Sequence, residues 1–522
     1  MGCRWFLLSL TSLLACLTCW AAPPDLVLRN GLLIDGTGNP PVKGDLAVRD
    51  GRIVAVGVVA EKGLKEMDVA GWVVAPGFID VHTHAENIED HPRAENFLRM
   101  GVTTLVLGNC GSSKLKLGEF FQRLEVNGTA ANVASLIGHG TVRAQVMGGS
   151  FRRAPTEDEL NQIRAHTAQA MRDGALGMST GLIYLPGTFA KTEELVEMAK
   201  IVGARGGIYA SHMRSEGTQI MEALDELCRI AREAHLPVHV SHIKIADKNR
   251  WGQSAAVLAR LAAARKDGLR ITQDQYAYTA SSTGLRQLLP DDAVAGGRAR
   301  FAELFTDADA KARIVQQMKD RLRQGGRDDF AYAMIAHYKH QTNYNGLSVP
   351  EAAKAHSGRA TLDDQIDLLL EIEKNGGASG VFHGMHEDDL RAFLKDAHTM
   401  FASDSGVRVF AEGVPHPRGY GNNARYLARY VREERLLSVA EAVRRMTSLP
   451  AKTFGIPQRG ALQVGHWADV VVFNTDKVQD AATFKAPHQY ATGFRLVLVN
   501  GKPVVEDDRQ NDGLHGRIIR AR

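Results

Sequence analysis

Between about residues 73 and 407 the chain repeats one rhythm. A short apolar run ends in polar or glycine residues, and a stretch with apolar residues every three or four positions follows. The runs are WVVAPGFIDVHTH, TTLVLGNCG, NVASLIGHG, GALGMSTG, GGIYASHMR, PVHVSHIK, LRITQDQYAY and HTMFASDSG, eight in all. Between them lie amphipathic segments such as TEDELNQIRAHTAQAMRDG and AKTEELVEMAKIVGARGG, whose spacing is helical. Eight strand–helix units predict an α/β fold, a closed (β/α)8 barrel of TIM type. A doubly wound open sheet is the alternative, and polar residues at the ends of nearly all the runs weigh against it.

The two ends of the chain alternate with period two instead. DLVLRNGLLIDG, GDLAVRDGRIVAVG and EMDVAGWVV stand at one end, GHWADVVVFN and FRLVLVNGKPVVED at the other, with turns expected at Asn30-Gly31, Asp50-Gly51 and Asn500-Gly501. Neither set is long enough to bury a sheet alone. Residues 25–75 and about 456–522 are therefore expected to form one small β-sandwich beside a barrel of residues 76–455. The gap between the seventh and eighth runs exceeds one crossover, so residues from about 285 to 360 are expected to form an inserted subdomain over the barrel mouth. Within it, AHYKHQTNYNG is either a ligand contact or a plain surface loop.

Residues 1–22 read as a separate object. MGCRW, an apolar FLLSLTSLLACLTCW and Ala21-Ala22 before Pro23-Pro24 have the order of a secretory signal peptide, implying an exported, periplasmic or secreted protein. The apolar stretch is short of the ~20 residues a membrane anchor needs, and Cys16, in LLAC, loosely matches a lipidation site. No later segment is apolar enough to span a membrane. The 522 residues carry 63 basic and 59 acidic side chains, a formal charge of +4, without a long run of like charge, which argues against nucleic acid or an anionic membrane as partner. Of five cysteines only Cys110 and Cys228 lie beyond the leader, too few for a disulfide framework. Cys228 falls on the apolar side of a helical pattern. Cys110 does not.

The chemistry gathers at the ends of the runs. Residues two apart in a strand share a face, so Phe78, Asp80, His82 and His84 are expected to face the barrel mouth while Ile79 and Val81 face the helices. A His-x-His pair alone is a weak sign of a metal. Cys110, His212, His242 and Asp404, however, end four further runs, and imidazoles, a thiolate and a carboxylate at one rim suit a divalent cation.

PGFIDVHTH, GNCG, SHMR, SHIK and SDSG resemble the amidohydrolase superfamily. GNCG, GHGTVR, MSTGLIYLPG, QYAYTASSTGL, HPRGYGNNARYL and GHWADVVVFN, in that order, resemble its N-acyl-D-amino-acid deacylase (D-aminoacylase) branch, over residues from about 25 to 520. The resemblance implies a zinc-dependent hydrolase that cleaves an N-acyl-D-amino acid to a carboxylate and a free D-amino acid. It implies that Cys110, His212 and His242 hold a tight zinc, that His82 and His84 form with Cys110 a second, weaker position, and that Asp404 is both a metal ligand and the general base and acid. It places Arg418, Lys244, Tyr184, Tyr276 and Ser282 around the substrate carboxylate. Tyr278 shares a face with Tyr276, and Ser281 adjoins Ser282. The D configuration rests on the resemblance alone. Two other functions fit parts of the pattern: a cyclic-amide hydrolase or dipeptidase of the same superfamily, and a non-catalytic metal-loaded binding protein, for which Asp404 would have no purpose. His139, in GHGTVR, also ends a run and reads as a hydrogen-bonded barrel residue.

Overall fold

The computed structural model describes residues 22–521. The leader reading, including Cys16, lies outside them, save for Ala22. Among the described residues no helix is long and apolar enough to cross a membrane.

All eight expected runs are barrel strands. They are Phe78–Asp80, Val102–Leu107, Asn132–Ser135 continued by Ile137–Gly138, Gly177–Gly181, Ile208–His212, Val238–Val240, Ile271–Gln275 and Thr399–Phe401. Neighbours pair in parallel. The third strand is kinked at Leu136, so its first half pairs with the second strand and its second half with the fourth. A parallel bridge between Thr83 and Ser405 closes the ring.

The barrel interior corrects one expectation. Ile79 and Val81 fall in a single cluster with Ala134, Leu136, Ile208, Ala210, Met400 and Ala402. Residues from the first and fifth strands can touch only across the lumen, so Ile79 and Val81 point inward. Asp80 instead accepts the backbone N–H of Ser403 at 3.1 Å. The strand ends at Asp80 and the chain bends at Val81 and His82, breaking the two-residue alternation and delivering His82 to the mouth. Phe454, Ile456 and Ile519 belong to the same interior cluster.

The two chain ends share one nine-stranded sheet, in which Val470–Phe473 pairs with Val73–Pro76. Leu28, Leu46 and Ile53 meet Leu496 and Leu498 in one apolar cluster, so the sheet folds over on itself as a sandwich. Asp50-Gly51 and Asn500-Gly501 both have positive φ, at 51° and 76° and at 50° and 79°, the geometry of tight hairpin turns. Asn30-Gly31 is not a turn. It is a bulge within Leu26–Leu33, where a Cβ on Gly31 would lie 2.6 Å from Val74 Cγ2.

The insertion runs wider than residues 285–360. Its antiparallel sheet joins Ser281–Gly284, Ser379–Phe382 and Ala333–His337. Helices Gly297–Thr306, Ala308–Gln324, Val349–Ser357 and Leu362–Lys374 cover a separate apolar core that includes Phe301, Ile314, Ile335 and Leu369. AHYKHQTNYNG serves this core: Tyr338 and Tyr344 are buried and stacked at 6.4 Å, away from the cavities at the barrel mouth.

Candidate active site

The ring closure itself sets the first two histidines. Asp404 N–H donates to His82 O at 2.9 Å and His84 N–H to Ser405 O at 2.8 Å, so the ends of the first and eighth strands are stitched face to face. His84 Nε2 then lies 3.1 Å from Asp404 Oδ1, and His82 Nε2 lies 3.6 Å from the same oxygen. Cys110 follows the second strand through Gly108-Asn109, with Asn109 Nδ2 donating to Val81 O and Val106 O. Gly181, at the end of the fourth strand, must lack a side chain, because a Cβ there would stand 2.2 Å from Cys110 O. Cys110, His242 and Asp404 all hold left-handed backbone, with φ of 51°, 33° and 52°. Such conformations cost non-glycine residues free energy and concentrate at functional sites.

Cys110 Sγ is 3.3 Å from His82 Nε2, 3.5 Å from His242 Nε2 and 3.7 Å from His212 Nδ1. Bonds of about 2.3 Å to sulfur and 2.0–2.1 Å to nitrogen at a tetrahedral zinc place S and N donors about 3.5 Å apart. Three sets of potential ligands have donor atoms mutually within 4.8 Å: His82, Cys110 and His242; His82, His84 and Asp404; and His212, Glu216 and His242. His212 Nε2 is buried and has no hydrogen-bond partner. The donor set and an orphaned imidazole nitrogen both fit a metal. Glu216 is an addition to the sequence reading.

The electrostatics agree. Burial would push the Cys110 thiol up, but the His82 and His242 imidazoles and hydrogen bonds from His212 and His242 hold it well below the usual thiol range. Burial disfavours a charged His84, yet Asp404 and Cys110 raise it to about 10. His82 is likewise raised well above its ordinary value by Asp274, Cys110 and Asp404, against burial. His212 is lowered, chiefly by burial. Asp404, buried, and Glu216, half-buried, are held below the carboxylate range, Asp404 by Arg418 and His82, Glu216 by Lys244 and the imidazoles. The cluster is rich in anions and attracts cations, protons in a metal-free site or metal ions in a loaded one.

A second layer orients the first. Asp274 accepts from His82 Nδ1 at 3.1 Å, His239 Nε2 at 2.8 Å and the His242 backbone N–H at 2.9 Å. That leaves Nε2 of His82 to face Cys110, the carboxylate–histidine arrangement that fixes a ligand's tautomer. The clue to Asp274 is its place in ITQDQ, a strand in which Gln273, Asp274 and Gln275 are all completely buried. The clue to Glu216 is weaker, a carboxylate four residues after His212.

Of the remaining expected residues, Tyr184, Ser282 and Arg418 line a cavity of about 590 Å³ together with His84, Cys110 and Asp404. Arg418 is only 2% exposed. Its Nη1 lies 2.9 Å from Asp404 Oδ2, yet neither Nη1 nor Nε has hydrogen-bond geometry to any acceptor among the described residues. The contact is therefore one of charge, and two buried donors stay free. Lys244 reaches His242 Nδ1 at 2.7 Å and Glu216 Oε1 at 2.6 Å, and lines an adjoining cavity of about 490 Å³ with Ser281, Phe382 and Met385. Tyr276 has Arg418 at 4.7 Å and Lys244 at 5.9 Å over its ring. Tyr278 instead packs on His416, Phe484 and Arg425. Tyr184 lies edge-on to His212 at 4.8 Å. His139 is not in this group; it pairs with Glu194 at 2.8 Å beside Arg143. Cys228 is 1% exposed in its helix.

Residues 65–505 match the family model described as "Amidohydrolase family". The chain is 34% identical to the D-aminoacylase of Alcaligenes xylosoxydans xylosoxydans over 95% of its own length and 98% of the relative's. It is 33% identical to an N-acyl-D-glutamate deacylase of the same organism, over 91% and 93%. Among solved structures, a D-aminoacylase superposes with a TM-score of 0.82 at 34% identity, covering 95% of this chain and all of that one. An N-acyl-D-glutamate deacylase from Bordetella bronchiseptica, complexed with zinc and a phosphonate inhibitor, also gives 0.82, at 32% identity over 96% of this chain and 100% of that one. A barrel closed by a strap of backbone hydrogen bonds, a thiolate among imidazoles at its rim and these near full-length matches place the chain in the amidohydrolase family, within the branch that contains the D-aminoacylases.

Proposed function

We propose that the protein is a zinc-dependent hydrolase that cleaves the amide bond of N-acyl-D-amino acids, releasing a carboxylate and a free D-amino acid. The observation that carries this reading is the approach of Cys110 Sγ to three imidazole nitrogens, at 3.3–3.7 Å. Cys110, His212 and His242 would hold the tight ion, and His82 and His84 would form with Cys110 a second, weaker position that Asp404 adjoins. Zinc bound there supplies a Lewis acid for the amide carbonyl and lowers the pKa of water. Asp404 is ionised at neutral pH and so can accept the proton of the attacking water and return it to the departing nitrogen. Arg418, a buried cation whose Nε and Nη1 have no hydrogen-bond acceptor among the described residues, suits the substrate carboxylate by charge and by those donors. Lys244, Tyr276, Ser282 and Tyr184 complete that seat. The D configuration is supported by the similarity to a D-aminoacylase and an N-acyl-D-glutamate deacylase.

The test is zinc-loaded protein with a panel of N-acetyl-D- and N-acetyl-L-amino acids. Amine release from the D series is expected. No release from any member would reject the assignment. Asp404→Asn is expected to keep its tight zinc and lose about 10²–10⁴-fold in kcat.

A further inference from the structure

The larger mouth cavity holds a second guanidinium that this mechanism leaves idle. Arg408, four residues after Asp404, lines the same cavity as His84, Cys110 and Asp404. Its Nε donates to Ser405 Oγ at 3.1 Å, and its backbone N–H to Asn96 Oδ1 at 3.1 Å. Among the described residues no carboxylate lies within 4 Å of that guanidinium. The one acid lining the cavity, Asp404, is already engaged by Arg418 and His84. Burial, with the neighbouring charge of Arg418, pushes the Arg408 guanidinium down to about 10. An anion in the cavity would offset that penalty.

Arg408 and Arg418 are neighbouring charges held by different partners. Arg418 reaches Ser282 O at 3.3 Å and overlies Tyr276, on the side of the seventh strand and the insertion. The Arg408 backbone is tied to Asn96, in the crossover after the first strand, and its guanidinium to Ser405, just beyond the eighth strand. The other walls of the cavity include Ser112 and the start of the helix His139–Met147, where Gly140 and Thr141 line the space. That helix begins at Gly138 without a side-chain cap, so its positive end adds to the field that Arg408 sets up. An N-acyl amino acid with its α-carboxylate on Arg418 and its amide at Cys110 and Asp404 must send its acyl chain into the remaining space.

We propose that Arg408 reads a second carboxylate at the far end of the acyl group, so that the favoured substrates are amino acids N-acylated by a dicarboxylic acid, of the succinyl or glutaryl class. This inference rests on the acyl-amino-acid hydrolase reading above and specifies the acyl half of its substrate. The balanced reaction is water plus the N-succinyl amino acid giving succinate and the free amino acid: the C–N bond breaks, the water oxygen joins the carbonyl carbon, and its proton goes to the nitrogen.

The experiment measures kcat/KM of the zinc-loaded protein for the N-acetyl, N-butyryl, N-succinyl and N-glutaryl derivatives of one D-amino acid. Wild type is expected to favour the better dicarboxylic substrate over N-butyryl at least tenfold, mainly through KM. Arg408→Gln is expected to reduce that ratio at least tenfold, and Arg408→Lys to restore part of it. Two results overturn the assignment: no preference for the dicarboxylic acyl groups in wild type, which needs no variant to fold, or an equal loss on N-butyryl and N-succinyl substrates in Arg408→Gln. Turnover of neutral acyl substrates alone sinks only the role of Arg408. Failure on every acyl substrate sinks the parent reading and this one together.

Discussion

Asp274→Asn is the most informative substitution at a residue that is not itself a proposed metal ligand. The carboxylate is about 1% exposed and serves three donors, His82 Nδ1, His239 Nε2 and the His242 backbone N–H. Asparagine keeps one acceptor oxygen and replaces the other by an NH2 group. Because one carboxylate oxygen takes both imidazole donors and the other takes the backbone, either choice of amide orientation sets a donor against a donor. If His82 relieves the clash by moving its proton to Nε2, the nitrogen 3.3 Å from Cys110 Sγ loses the lone pair a metal needs. Outer partners of metal-bound histidines are typically worth 10–100-fold in affinity, or about 1.4–2.7 kcal/mol. A zinc Kd weakened by that factor in a chelator competition is expected. The comparison is Asp389→Asn, which breaks one of a buried carboxylate's two bonds, from Gly252 N or Ser254 N, and should cost stability without moving the zinc Kd. Zinc affinity equal to wild type in Asp274→Asn would show that Asp274 does not set the His82 tautomer. The pH dependence carries a sign as well. Burial raises the Asp274 carboxyl, but His82 and His239 more than reverse this and hold it far below the usual carboxylate range. Its stabilisation is therefore complete above the unfolded value of about 3.9 and is lost as the pH falls toward the folded value. The Asn variant should show a shallower acid limb in its stability curve.

Two further outcomes follow from named groups. In metal-free protein Cys110 is held as a thiolate by its imidazoles, so its alkylation rate should stay nearly flat from about pH 8 to 6, whereas an ordinary thiol slows almost tenfold per pH unit. Zinc should block the reaction, and Cys228, buried and pushed up by burial, should react only on unfolding; a steep pH profile for Cys110 would mean a neutral thiol. Phe401 is fully buried and stacked at 3.5 Å on Tyr426, so Phe401→Ala should cost about 3–5 kcal/mol in denaturant unfolding, and a loss below about 1 kcal/mol would place that packing elsewhere.

The barrel was legible because its strands are buried on both faces and so appear as short apolar runs that break off in polar residues. His82, Cys110, His212, His242 and Asp404 stand at those breaks, so their convergence could be anticipated. Their orientations could not. Cys110, His242 and Asp404 adopt positive φ, which removes the simple alternation of faces, and the bend at Val81 and His82 inverted the expected facing of Ile79 and Asp80. Glu216 and Asp274 escaped because their partners lie on other strands, 26 and 192 residues away for His242 and His82 counted from those acids. The insertion was underestimated because Ser281–Gly284 and Ser379–Phe382 are strands of only four residues with little apolar content of their own. Asn30-Gly31 carries turn chemistry, but the chain spends it on a bulge because Gly31 packs against Val74.

The convergence of a thiolate and imidazoles on one ion is tested most directly by X-ray absorption at the zinc edge. Wild-type protein loaded with one equivalent of zinc is expected to show a single sulfur at about 2.3 Å with nitrogen and oxygen at about 2.0–2.1 Å, and Cys110→Ser should lose the sulfur shell. Zinc ligated by nitrogen and oxygen alone in the wild type would contradict the proposed centre.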